Sequence, residues 1–145
     1  MSKNIEAAFK QLSHGVYVMG VTDGIYQNAF TAAWVMQASF SPLLLAISIN
    51  PEHYSYQLLK VGGVCSVNVL GDDQSAVADH FGRSGKDKMT GFQWHVDCEV
   101  SHYSDAGDHK IALCKVIAAA RLNEGRPFNT MVALTTKEYM NQVLR

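Results

Sequence analysis

This sequence predicts a mainly β fold, a small closed antiparallel β-barrel with a few peripheral helices, and three observations carry the prediction. Short strand-like runs dominate the chain, turn residues separate them by short links, and helical periodicity is confined to brief stretches. The length of 145 residues fits one domain over 1–145, because a chain of this size buries roughly two-thirds of its unfolded surface and a second core would lack residues.

The elements follow in order. Ile5, Phe9 and Leu12 fall at helical spacing around Ala7 and Ala8, with Gly15 as a stop, so one short amphipathic helix opens the chain. "VYVMGVT" reads as a strand, and Asp23-Gly24 turns it into "IYQNAFTAAWV". "VMQASF" and "LLLAISIN" are two more strands, separated by Ser41-Pro42, where the proline ends pairing. "HYSYQLLKVGG" is a short helix closed by paired glycines, and "VCSVNVL" is a β-branched strand after it. The helix-like "DQSAVADHFG" leads into a polar loop, "RSGKDKMTG". "WHVDCEVSHY" alternates, with Val96, Cys98, Val100 and His102 on one side and His95, Asp97, Glu99, Ser101 and Tyr103 on the other. "SDAGD" turns the chain into the strand "HKIALCKVIAAARL", and "TTKEYMNQVLR" is a candidate last helix.

Composition narrows the function classes. Hydrophobic residues make up 48% and charged residues 17%, which fits a folded globule. The net charge of -1 offers no basic excess to displace counterions, so neither nucleic acid nor an acidic membrane is an expected partner. Cys65, Cys98 and Cys114 form an odd set with no C-x-x-C pair, which reads as buried thiols in a reducing compartment. "MSKNIEAAFKQL" mixes both charges and has no apolar core, so a cytoplasmic location is expected.

One stretch is unusual. From Gly24 to Pro51 there is no Asp, Glu, Lys, Arg or His. A spanning helix needs roughly 20 nearly continuous apolar residues, and Asn28, Thr31, Gln37, Ser39, Ser41 and Pro42 interrupt this one. A strand region uncharged on both faces needs a second dry surface besides the core, and a subunit interface or a bound aromatic cofactor would each provide one.

Familiar chemical motifs are absent. No G-x-G-x-x-G follows a strand, "GRSGKD" lacks the spacing and Ser/Thr of a phosphate loop, and there is no G-x-S-x-G elbow. His95 falls opposite Cys98 and His102 in the alternating strand, so no metal site is expected. The cysteines lie in apolar runs that would raise their pKa rather than activate a thiolate.

Taken in order, "LSHGVYVMGV", "NAFTAAWVMQASFSPLLLAISIN", "YSY", "VCSVNVL", "ADHFG", "DKMTG" and "AGDH" resemble the flavin reductase-like family of FMN-binding split barrels over roughly positions 12 to 118. The resemblance implies a flavoprotein that takes hydride from NADH or NADPH, with FMN as the cofactor and FAD the alternative. It implies a homodimer with the flavin where the uncharged strand meets the partner. An electron carrier that does not itself oxidise a pyridine nucleotide, or a binding module without flavin, are the other readings.

The implied flavin contacts are Asn28, Thr31, Ala33 and Trp34, with Ser39 a weaker member. Neutral hydrogen-bonding groups suit the pyrimidine edge of a flat isoalloxazine and a large aromatic covers its apolar area. Ser55 matches the family's phosphate-holding Ser/Thr at or near a helix start, where backbone N–H groups and the dipole favour an anion; Asn50-Pro51 is an equal candidate for that start. Lys88 matches the basic residue of "DKMTG", with Lys86 and Arg83 as substitutes nearby. His109 ends "AGDH", where an imidazole near the ring can hydrogen-bond it or balance its charge. Phe81 and Asn68 belong to matching motifs as structural candidates. No residue is named as a catalytic acid or base, because the flavin performs the chemistry. The chain departs from the family in a shortened stretch between Trp94 and Cys98, in Cys114-Lys115-Val116 where Gly-Glu-Val is usual, and in its tail. These departures bear on substrate access more than on flavin binding.

Overall fold

Ser2 begins the first helix. In the computed structural model, which describes residues 2–74, 76 and 94–122, its side chain accepts from the Ile5 N–H at 3.2 Å and caps α1 (Lys3–Lys10). The spacing of Ile5 and Phe9 predicts this helix but not its packing, and the helix ends at Lys10, short of Leu12 and of the expected stop at Gly15. Ile5, Phe9 and Leu12 are exposed, and no α1 residue is buried among the described residues.

Next come β1 (Tyr17–Thr22) and β2 (Gln27–Ala32), an antiparallel hairpin. Asp23 holds its link: Oδ1 accepts from the Ile25 N–H at 2.8 Å and the Tyr26 N–H at 2.7 Å. Gly24 beside it takes φ 99°, a conformation that an L side chain resists. The pair β3 (Val35–Ser39) and β4 (Leu44–Ile49) encloses a turn with a cis Ser41-Pro42 peptide. Then α2 (Tyr54–Gly62) ends at Gly63, whose φ of 69° lets its N–H reach the Leu59 carbonyl at 2.8 Å. Gly62 lies so close to β1 that a Cβ there would run into the Thr22 carbonyl oxygen, which seats the end of α2 on the hairpin.

The strands β5 (Val64–Val69), β6 (Trp94–Ala106) and β7 (His109–Arg121) complete one antiparallel sheet in the order β2-β1-β5-β6-β7-β4-β3. This is mainly β architecture with two helices among the described residues. Among the described residues hydrogen bonds do not close the sheet, so the structure bears out the mainly β, antiparallel part of the expected fold. Its two ends, β2 and β3, are consecutive in the chain with only Ala33 and Trp34 between them. One segment therefore pairs with β1 along its first half and with β4 along its second, and the corner between the halves interrupts the ladder. The Trp34 carbonyl accepts the Ser48 N–H at 2.9 Å just past that corner.

Met19, Ile47, Leu59, Cys98 and Cys114 are fully buried at the centre of the core. The alternation along β6 fails midway. Its register against β7 slips between Asp97 and Cys98 and again between Val100 and His102. The second slip leaves Ser101 as an extra residue, and a bulge exchanges the faces beyond it. His102, expected on the side of Val96 and Cys98, is exposed, and Tyr103, expected opposite, packs on the core. A two-residue link, with Gly107 at φ 63°, then returns the chain from Ala106 to its partner His109. The expected tail helix and most of the expected helix in "DQSAVADHFG" lie outside the described residues. No helix among the described residues is long and apolar enough to cross a membrane.

Candidate functional site

The corner at Ala33 and Trp34 gathers one half of the candidate residues. Its carbonyl bond to Ser48 sets Trp34 beside β4, and β4 pairs with β7 so that Ile49 faces Lys110. One step further in that register sets Asn50 opposite His109, at the mouth of the β6–β7 hairpin. The Trp34 and His109 rings accordingly meet, centroids 5.0 Å apart and planes tilted by 57°. Such a ring pair contributes ~1 kcal/mol beyond its buried area. Ala33, buried behind the corner, presents only a methyl group to its surroundings.

The His109 side chain is only 13% exposed, whereas its neighbour Asp108 is 95% exposed. Nδ1 of His109 lies 2.7 Å from Oδ1 of Asp108. An ionised carboxylate can only accept, so Nδ1 carries the hydrogen in this contact and Nε2 is the imidazole's other bonding atom. The same hydrogen bond from His109 holds the Asp108 carboxyl below its ordinary range.

The second half lies at the start of α2. Ser55 is 3% exposed in the first turn, and its Oγ accepts from Nδ2 of Asn28 at 2.9 Å. The N-cap residue, His53, makes no side-chain capping bond. The helix start therefore presents N–H groups and the positive end of its dipole without a capping side chain, an arrangement that favours an anion.

The structure thus brings the expected site residues together as two couples, Asn28 with Ser55 and Trp34 with His109, with Ala33 in the corner. Asn28 and Ala33 are five residues apart in extended chain, ~16 Å. Thr31 falls on the opposite face of β2 from Asn28 by strand alternation, paired with Val18. Ser39 ends β3 opposite Leu44, five residues beyond Trp34, and belongs to neither couple. Lys88, Lys86, Arg83 and Phe81 lie outside the described residues. Asn68 is buried and donates to the Val18 carbonyl at 3.0 Å, a bond that ties β5 to β1. Asp108 is a further candidate that the motifs did not single out. It stands inside "AGDH", next to the histidine it holds.

The family profile described as "Flavin reductase like domain" matches residues 9–140. Among curated proteins, the chain is similar to the reductase subunit HsaB of a flavin-dependent monooxygenase from Rhodococcus jostii, at 25% identity over 132 residues, covering 81% of this chain and 68% of that protein. It is also similar to diflavin flavoprotein A 1 of Synechocystis sp., at 24% identity over 135 residues, covering 80% of this chain and 24% of that protein. The chain spans about a quarter of the length of the diflavin flavoproteins it matches. Among solved structures, NADH:FAD oxidoreductase SgcE6 of Streptomyces globisporus superposes with a TM-score of 0.74 at 27% identity, covering 87% of each chain. The styrene monooxygenase flavin reductase of Pseudomonas putida superposes at 0.79 with 19% identity over 90% of this chain and 94% of that one, a likeness of fold.

Proposed function

The chain belongs to the flavin reductase-like domain family, and from that premise we propose that it binds FMN, with FAD as the alternative, and reduces it with NADH or NADPH. The observation that carries the proposal is the pair of couples at the two ends of one strand segment: a buried hydroxyl at an uncapped helix start, and an aromatic pair at the strand corner. A phosphorylated ring system suits this donor set. Ser55 and the first turn of α2 would hold the phosphate, with Asn28 fixing the Ser55 rotamer. Trp34 and Ala33 would cover the apolar ring, Thr31 would supply a neutral polar contact nearby, and Lys88 would add charge neutralisation at the phosphate. When bound, the flavin supplies the hydride-accepting ring. His109, oriented by Asp108, would hold a donor beside that ring, and exclusion of water by Trp34 would strengthen its field.

We also propose that the protein acts as a single-domain homodimer. Support comes from the uncharged segment, which on one chain leaves Met36 64% and Phe40 87% exposed. In the same reading the corner at Ala33 and Trp34 closes the split barrel covalently where hydrogen bonds do not. Three free thiols suit a cytoplasmic location. A second reading, an FMN-containing electron carrier that does not oxidise a pyridine nucleotide, is favoured by relatives in which the matched stretch is a minor part of a diflavin protein.

The test is optical. Purified protein, as isolated or after addition of FMN or FAD, is expected to show the absorption of a bound flavin, and stopped-flow mixing with NADH or NADPH is expected to bleach it. Bound flavin that neither nucleotide bleaches selects the carrier. A colourless protein that takes up neither flavin overturns both readings.

A further inference from the structure

Three cysteines that are distant in sequence converge inside the sheet. Cys65 on β5 is the direct cross-strand partner of Cys98 on β6. Cys114 on β7 pairs with Val100, two residues along β6 from Cys98. All three are free, buried and part of one core cluster, so their side chains share the inner face. They do not form a metal site, since no group of three or more His, Cys, Asp or Glu among the described residues is arranged to hold an ion.

The register singles out one pair. Residues directly opposed in an antiparallel sheet have Cα atoms ~4.5–5.5 Å apart, inside the ~4.4–6.8 Å span that a disulfide bridges. Cys98 and Cys114 are diagonal neighbours at ~7–8 Å. Cys65 and Cys114 are two strands apart and offset by two residues along the strand, ~12 Å in a flat sheet. Only Cys65 and Cys98 are therefore set to bond without backbone movement. The neighbouring thiols and burial push the Cys65 thiol upward, while Cys65 draws Cys98 below its ordinary value. Cys98 is thus the better nucleophile of the two.

We propose that Cys65 and Cys98 form a thiol–disulfide redox site that hydrogen peroxide oxidises. The Cys98 sulfur, having released its proton, attacks one peroxide oxygen; an S–O bond forms, the O–O bond breaks, and the departing hydroxide takes that proton and leaves as water. The Cys65 sulfur then attacks the Cys98 sulfur. An S–S bond forms, the S–O bond breaks, and the second hydroxide leaves as water with the proton of Cys65. Two thiols lose two electrons and two protons, and one peroxide becomes two waters. Peroxide is small and uncharged, which suits a site with no exposed sulfur.

Folded protein treated with hydrogen peroxide, then unfolded in an alkylating reagent and digested, tests this by mass spectrometry. The expected product is one cross-link between the peptides of Cys65 and Cys98, with alkylatable thiols falling from three to one and returning to three after dithiothreitol. Cys114→Ala is expected to keep the cross-link. Cys65→Ala is expected to lose it and to leave Cys98 as a sulfenic acid that dimedone traps. Three alkylatable thiols after peroxide, or a bridge that uses Cys114 in the wild-type chain, would overturn the proposal, and neither reading depends on how the variants fold.

Discussion

Tyr103 shows how much a single side chain can decide. It stacks edge-on against Tyr56, centroids 5.7 Å apart, and its buried hydroxyl meets no partner among the described residues. An unanswered buried hydroxyl costs ~1–3 kcal/mol, so Tyr103→Phe is expected to raise stability by about 1 kcal/mol, read as a higher urea midpoint at constant m-value. Burial, with smaller contributions from Tyr56, Cys114 and Cys65, pushes the Tyr103 pKa up to about 12. The neutral phenol is the form favoured by folding, so its contribution is complete below the unfolded value near 10 and is lost as pH rises towards 12. Absorbance of phenolate against pH should show this group ionising above the ordinary tyrosine range, and Tyr103→Phe should flatten the alkaline loss of stability. At the candidate site, Ser55→Ala is expected to weaken FMN binding about tenfold while circular dichroism stays unchanged, since Asn28 is only half-buried and can turn to water. Asp108 works in the opposite direction in pH. Its folded pKa is depressed, so its bond to His109 is complete above the ordinary Asp value of about 3.9 and disappears as pH falls through the lower folded value. The Nδ1 proton resonance of His109 should persist to that point and be lost at all pH values in Asp108→Ala. Trp34, Ser55 and His109 were legible as candidate site residues only through ordered motifs. The Asn28 to Ser55 bond was not legible, because residues 27 positions apart carry no sign in sequence that they meet.

Elements were more legible than their packing. Asp23-Gly24, Ser41-Pro42 and Gly62-Gly63 punctuate the chain through local backbone chemistry, and each marks a boundary in the structure. Gly62 has a second role that its helix position does not announce, since any Cβ there meets the Thr22 carbonyl of β1. Gly62→Ala is therefore expected to destabilise by ~2 kcal/mol through overpacking, measured by urea unfolding. Asp23 offers a local acid test. Hydrogen bonds from the Tyr26 and Ile25 N–H groups hold its carboxyl below the usual range, so the link is secured above about pH 4 and released as pH falls through the folded value. Amide exchange at Ile25 and Tyr26 should accelerate in that window, and Asp23→Ala should show the fast exchange at neutral pH. The bulge at Ser101 was invisible in the alternation of "WHVDCEVSHY", because inserting one residue exchanges the two faces without altering the pattern upstream. For α1, periodicity gave the helix and its apolar face, yet nothing in it says whether that face is covered.

For the whole molecule, the uncharged segment from Gly24 to Pro51 takes on a physical meaning. It contributes both ends of the sheet order and the corner between them, so part of it fills the core while Met36 and Phe40 face outward. An exposed apolar strand at a sheet end is a surface that proteins normally cover. Sedimentation of the purified protein is expected to give a two-chain species, and Phe40→Glu is expected to shift it to one chain with the β signature retained in circular dichroism. A wild-type protein that sediments as one chain at micromolar concentration would remove the homodimer from the reading.

Residue order alone determined the mainly β class, most strand and turn positions, and the family, because these rest on local conformational preference and on motifs read in line. Tertiary structure alone decided that β2 and β3 end the sheet on either side of one corner, that Tyr103 rather than His102 turns inward, and that Cys65 faces Cys98. Those outcomes depend on register between strands far apart in the chain, and register is settled by the collective packing of a core rather than by any single stretch of sequence.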